Sequence, residues 1–157
     1  SFGVTRLEEA REIREAGLGQ RILVMVPPRP ERADEARALG VEVAVDSAEA
    51  VEAFRGLPLH LKIDTGMGRL GIDPTETRRF ADLAGADLRA VFTHFPNAAA
   101  GIATELARFR EATDGLKCER HVANSAATCL HADARLDLCR VGTALYGQKP
   151  WGSAGPP

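Results

Sequence analysis

His60-Leu61-Lys62-Ile63-Asp64-Thr65-Gly66-Met67-Gly68-Arg69-Leu70-Gly71 begins as a strand and ends as a glycine-rich loop. In the strand half, Leu61 and Ile63 point one way, and His60, Lys62 and Asp64 the other. Leu59 to Ile63 is apolar enough to be covered on both faces only if His60 and Lys62 sit in a sheltered interior. A lysine there is costly unless it is paired or neutralised. Three glycines then let the backbone turn tightly or approach a ligand closely. Arg69 stands among them, and a guanidinium at that point can hold an oxyanion or a buried charge. A sheltered charge followed by a glycine loop and an arginine is the arrangement of a site.

Outward from this stretch the chain alternates strands and helices. Upstream strands are expected at Phe2–Val4, 22–26 and Val41–Val45, the second a continuous apolar run. Capping-box spacing at Thr5/Glu8 and Asp46/Glu49 starts two helices, and prolines at 27, 28 and 30 start another that Gly40 stops. Downstream, Asp73-Pro74-Thr75-Glu76 caps a helix to about Ala84. A strand over Leu88–Thr93 leads into His94-Phe95-Pro96, and a helix over about 102–114 follows. A short strand at His121–Ala123 ends at Asn124-Ser125, with a short helix over 126–131 and a last strand at Leu136–Arg140. Such alternation means a parallel α/β fold. Seven strands predict an incomplete (β/α)8 TIM-type barrel, about seven of eight strands present, with the barrel over residues 1–147 and a Pro/Gly-rich tail over 148–157. A doubly wound open sheet is the rival, but no G-x-G-x-x-G follows the first strand.

The 157 residues are 45% apolar and 27% charged, ordinary for a globular domain with a real core. A net charge of −2 without a basic stripe argues against nucleic acid as a partner. No apolar run approaches the ~20 residues of a membrane helix. Cys118, Cys129 and Cys139 are odd in number and lack metal-ligand spacing, which favours free thiols in a cytoplasmic protein.

The polar residues that need explaining cluster where strands give way to loops, the face that carries barrel active sites. They are Lys62 through Arg69, His94, Asn124-Ser125, and Arg140 with Gly142. Each has a plainer reading. Lys62 and Arg69 could serve an ion pair with Asp64, His94 could be a satisfied loop histidine, and Asn124-Ser125 could be a simple N-cap. His60, His121 and His131 read as structural. Barrel phosphate sites are built from the last two strand–helix loops and a helix N-terminus. Asn124-Ser125 and Arg140-Val141-Gly142-Thr143 occupy those places, and they point to a phosphorylated ligand.

The block from Leu61 to Gly71 closely resembles the signature of alanine racemases. Thr93-His94-Phe95, Asn124-Ser125-Ala126-Ala127 and Arg140-Val141-Gly142-Thr143-Ala144-Leu145-Tyr146-Gly147 are similar to later blocks of that family, in the same order. The resemblance covers nearly the whole chain. It implies a fold-type III enzyme dependent on pyridoxal 5'-phosphate (PLP), with a barrel followed by a β-domain. Such an enzyme works as a homodimer and interconverts L- and D-alanine for peptidoglycan. By the same resemblance Lys62 is a lysine often carbamylated, and Arg69 holds the PLP phenolate oxygen and the substrate carboxylate. His94 lies beside the ring and contacts Arg140, which faces the pyridine nitrogen. Ser125, Gly142 and Thr143 cradle the phosphate with support from Asn124.

The resemblance also marks departures. The family's PLP-bearing lysine and its catalytic tyrosine match no residue here, and Tyr146 belongs to a different block. No catalytic base is therefore assigned, and the chain alone is expected to be inactive. Four alternatives remain: a non-catalytic remnant that binds PLP or phosphate, a serine racemase, a racemase of broader specificity, or a D-amino-acid lyase that shares the barrel.

Overall fold

The computed structural model describes residues 1–150. Six parallel strands lie side by side in chain order: β1 Phe2–Val4, β2 Ile22–Val24, β3 Glu42–Val45, β4 Leu59–Lys62, β5 Leu88–Phe92 and β6 Glu119–His121. Between them run α1 Leu7–Glu15, α2 Ala33–Leu39, α3 Ala48–Ala53, α4 Thr77–Ala84 and α5 Ala103–Ala112, and α6 Ser125–Leu130 follows β6. The sheet curls without closing, so the fold is an incomplete TIM-type barrel. Its curl is tight enough for Arg21, before β2, to reach Glu119 on β6 at 3.2 Å.

Two-residue periodicity separates the two faces of the sheet. Val43, Val45, Leu59, Leu61 and Val91 join the apolar cluster beneath the helices, with Leu7, Val51, Phe54 and Phe109. The alternate residues Ala44, His60, Lys62, Ala90, Phe92 and His121 are equally buried, but they face the barrel interior. One interior row runs Ala44, His60, Ala90, Glu119 and the next Lys62, Phe92, His121. Lys62 therefore enters the interior because Leu59 and Leu61 are committed to the helices.

Six of the seven expected strands form. The seventh, Leu136–Arg140, runs beside β6 and bonds to it through Asp137 N–H to Arg120 O at 3.0 Å and Arg140 N–H to Ala123 O at 2.9 Å. Two bonds do not make a ladder, because Asp137 is also used to accept the Arg120 amide on its side chain. The caps shift by one residue from the expected positions. Glu9, not Glu8, accepts the Thr5 and Arg6 amides, and Glu8 pairs with Arg32 instead. Ser47, not Asp46, caps α3 by accepting the Ala50 amide. Gly40 ends α2 in the left-handed conformation, as its place in the sequence implied. The tail expected over 148–157 lies outside the described residues from Trp151 onward. Among the described residues no helix is long and apolar enough to cross a membrane.

Candidate active site

Lys62 ends β4 pointing inward, 6% exposed. It makes no ion pair with Asp64. The Asp64 carboxylate turns back on its own loop and accepts the backbone N–H groups of Gly66, Met67 and Gly68 at 3.0, 2.8 and 3.1 Å. Burial pushes that carboxyl upward, but these donors outweigh it and hold it below the usual carboxylate range. The loop is closed at its base by Ile72 N–H to Lys62 O and Asp64 N–H to Ile72 O, both at 2.9 Å. Gly71 sits inside this closure at φ 126°, and a Cβ there would lie 2.7 Å from the Asp64 nitrogen. Only glycine allows the two backbones this approach.

With the Asp64 carboxylate engaged by its own loop, Lys62 has no ion-pair partner among the described residues, though Asp46 and Asp64 partly offset the cations around it. Burial, then Arg69, lowers its pKa, and Arg140 adds to the effect. The ammonium lies over the face of Phe92, 5.7 Å from the centroid. The loop is tied to the next strand by a 2.8 Å hydrogen bond between the buried hydroxyls of Thr65 and Thr93.

Arg140 is the most constrained side chain in the region. Its Nη1 donates to Nδ1 of His121 at 2.7 Å and to the His121 carbonyl at 2.8 Å. Its Nη2 donates to the carbonyls of Thr93 at 2.7 Å and Val122 at 3.2 Å. The guanidinium also lies over the Phe92 ring, which stacks on His121 at 4.8 Å. Four of its five N–H groups are thus used, and the fifth, on Nε, is buried without a partner. Burial lowers the guanidinium to about 10, which leaves it cationic at neutral pH.

A cleft of about 370 Å³ opens beside Arg140, lined among others by His94, Asn124, Ser125, Gly142 and Thr143. A second cleft, about 270 Å³, shares His94, Asn124, Arg140 and Gly142 and runs down the barrel past His60 and Glu42. Asn124 caps α6 by accepting the Ala127 amide at 3.0 Å. The Ser125 hydroxyl accepts the Gly142 amide at 3.0 Å, so the two loops expected to cooperate are in contact. Burial, then the cations Arg140, Arg69 and Lys62, holds His94 at about 4. His94 is therefore neutral at physiological pH.

Six of the seven cofactor-binding residues expected from the sequence thus line one cleft. Arg69 does not line it: it is exposed on the loop, near enough to depress Lys62 and His94. A larger groove of about 910 Å³, between that loop and Arg78 of α4 and Arg108 of α5, contains none of the expected residues. The ring hydrogen-bonded to Arg140 is His121; His94, which the resemblance places in contact with Arg140, lines the same cleft and feels its charge. His121 ends a strand facing inward, and His94 lies on the loop past the end of β5. His131 is structural as expected, bonding the Ala98 carbonyl at 2.8 Å. His60, His121 and Phe92 were overlooked as site-supporting residues. The signal was the two-residue parity, because His60 shares its strand face with Lys62.

A family model for the N-terminal domain of alanine racemase matches residues 1–150. The chain is 36% identical to an alanine racemase of Streptococcus suis over 174 aligned positions, covering 96% of the chain and 46% of the relative. It is 34% identical to one from Methylacidiphilum infernorum, covering 95% of the chain and 43% of that protein. Among solved structures, the crystal structure of alanine racemase from E. faecalis superposes with a TM-score of 0.87 at 31% identity, over all of this chain and 48% of that one. The biosynthetic alanine racemase from Pseudomonas aeruginosa gives a TM-score of 0.86 at 30% identity, over 98% of this chain and 47% of that one. The chain spans less than half the length of these relatives.

Proposed function

The chain belongs to the family of alanine racemase N-terminal domains, and on that premise we propose that it is the PLP-holding barrel portion of an amino-acid racemase acting on alanine. The observation that carries this reading is the unpartnered, buried Nε–H of Arg140 beside a cleft that also holds Ser125, Gly142 and Thr143. A buried donor with no acceptor costs about 1–3 kcal/mol unless a ligand satisfies it. A pyridine nitrogen is an acceptor of the right kind, and a phosphate suits the hydroxyls and amides at the other end. The residues present therefore fit PLP.

When bound, PLP supplies an electron sink that makes the α-proton of an amino acid removable. In this reading Ser125, Gly142 and Thr143 bind the phosphate, and Asn124 holds the turn that presents them. Arg140 would donate to the pyridine nitrogen and, staying protonated at neutral pH, would leave that nitrogen unprotonated and temper the sink. His94 packs beside the ring as a neutral imidazole. Arg69, from the exposed loop, would bind the phenolate oxygen and the substrate carboxylate.

Lys62 orients Arg69 as a carbamate. Its lowered pKa favours the neutral amine, which forms an N–C bond to CO2 and releases one proton. The product places a negative charge near Arg69 and Arg140, the cations that act on Lys62. Removing and returning the α-proton needs a base on each face of the substrate, and neither is assigned within these residues. Racemisation of alanine for peptidoglycan, a cytoplasmic location and pairing of two copies, which the family resemblance implies, are part of the same proposal.

A PLP titration of the purified chain, followed by absorbance with racemase turnover measured alongside, tests this. The reading expects saturable, non-covalent binding, nothing trapped by borohydride, and no turnover. Binding that saturates at no concentration would contradict it. The lack of an assigned base also favours a second reading, a domain that binds PLP or phosphate without turnover in any context. Turnover by any longer chain carrying these residues would exclude that.

A further inference from the structure

We propose that Glu42, at the far end of the barrel interior, is a positioning residue for Arg140 and acts through a sealed relay of His60 and His121. The proposal rests on the reading of Arg140 as the group facing the cofactor's ring nitrogen. Glu42 Oε2 lies 2.8 Å from Nε2 of His60, His60 Nδ1 lies 2.9 Å from Nε2 of His121, and His121 Nδ1 lies 2.7 Å from Nη1 of Arg140. His60 is 1% exposed and His121 0%. The members come from β3, β4, β6 and the segment after α6, so the relay crosses the barrel interior.

The chemistry of its two ends gives the relay a single direction. An arginine can only donate and an ionised carboxylate can only accept. His121 must accept on Nδ1 and so carries its proton on Nε2. His60 must then accept on Nδ1 and donate from Nε2 to Glu42. The opposite setting, with both rings protonated on Nδ1, would aim a ring N–H at Arg140 and push the guanidinium out of place. Glu42 excludes that setting because its carboxylate demands the His60 Nε2 proton. Arg21 keeps the carboxylate ionised and fixed, with Nε to Oε1 at 2.7 Å and Nη2 to Oε2 at 3.0 Å. Against burial, the bond to His60 and then those from Arg21 hold Glu42 at about 2.

The test uses the 157-residue chain with 15N-labelled histidine and arginine and no PLP. Long-range 1H–15N spectra read the tautomer of each ring, and hydrogen exchange reads the Arg140 guanidinium. The wild type should show His60 and His121 each as the pure Nε2–H form. In Glu42→Leu a second His60 tautomer should appear, and Arg140 guanidinium exchange should accelerate on the order of tenfold. Glu42→Gln, whose amide oxygen can accept the same proton, should restore both. Glu119→Leu removes the neighbouring carboxylate that Arg21 also touches and should change neither. An Nδ1–H tautomer of His121 in the wild type would overturn the proposal. So would Glu42→Leu spectra and exchange identical to wild type. No cofactor enters the measurement, so a failure of the PLP reading would show in the PLP titration and leave this result intact.

Discussion

Arg140 donates to the Nδ1 of His121 at 2.7 Å, so the guanidinium facing the cleft is aimed by a ring on the last strand of the sheet. The same guanidinium ties together the carbonyls of Thr93, His121 and Val122, where β5 and β6 end. Arg140→Lys keeps the charge and loses the fork. We expect it to lower stability by about 2–3 kcal/mol, because buried carbonyls lose charged donors. Urea unfolding of the variant beside wild type measures this, and an unchanged midpoint would refute it.

Stability should fall as the solution is acidified. His94 sits at about 4 and His121 at about 2, both below the 6.5 of an ordinary imidazole. Burial is the first cause in each case, and the cation Arg140 the second. Between those values and 6.5 the unfolded chain binds protons that the folded chain refuses, so stability drops with falling pH. Glu42, held at about 2 against an ordinary 4.5, adds a loss of the same sign from about 4.5 downward. Unfolding midpoints at pH 7.5, 5.5 and 4.5 should decline in that order. A flat profile would contradict the burial of the two rings.

Gly71→Ala should cost stability through a backbone collision. The added Cβ would stand 2.7 Å from Asp64 N and 2.9 Å from Ile63 C, at a φ of 126° that other residues rarely adopt. A loss of at least ~2 kcal/mol is expected. Gly19→Ala meets nothing within 4 Å and serves as the comparison. Equal thermal midpoints for the two variants would remove the close approach from the account.

Leu61→Ala probes the other face of the same strand. Leu61 is fully buried in the apolar cluster beneath the helices. Truncation should cost about 2–5 kcal/mol. An unfolding midpoint equal to wild type would place Leu61 outside the core.

Lys62→Met separates the bare amine from its carbamate. In CO2-free buffer a buried cation without an ion pair is a burden, and an apolar side chain of similar length should match or exceed wild-type stability. Adding bicarbonate should raise the wild-type melting temperature and leave the variant unmoved. Mass spectrometry under native conditions should find one CO2 per chain. Bicarbonate acting alike on both proteins would count against Lys62 as its site.

The sequence made the barrel legible because strand parity and helix stops are local signals. Leu59, Leu61 and Ile63 could only face helices, and Gly40 could only end one. The candidate residues were legible because four blocks resemble one family in order. The relay was not, because Glu42, His60 and His121 are 18 and 61 positions apart and meet only when the sheet curls. The seventh strand failed for a related reason. Leu136–Arg140 has strand-like residues, but the Arg120 amide of β6 goes to the Asp137 carboxylate and not to a backbone carbonyl of that segment.

PLP titration of the wild-type chain beside Arg140→Ala and Ser125→Ala tests the central claim most directly. The account predicts one PLP per wild-type chain and affinity weakened on the order of tenfold or more in each variant, one at the ring nitrogen and one at the phosphate. Equal affinity in all three proteins would contradict it.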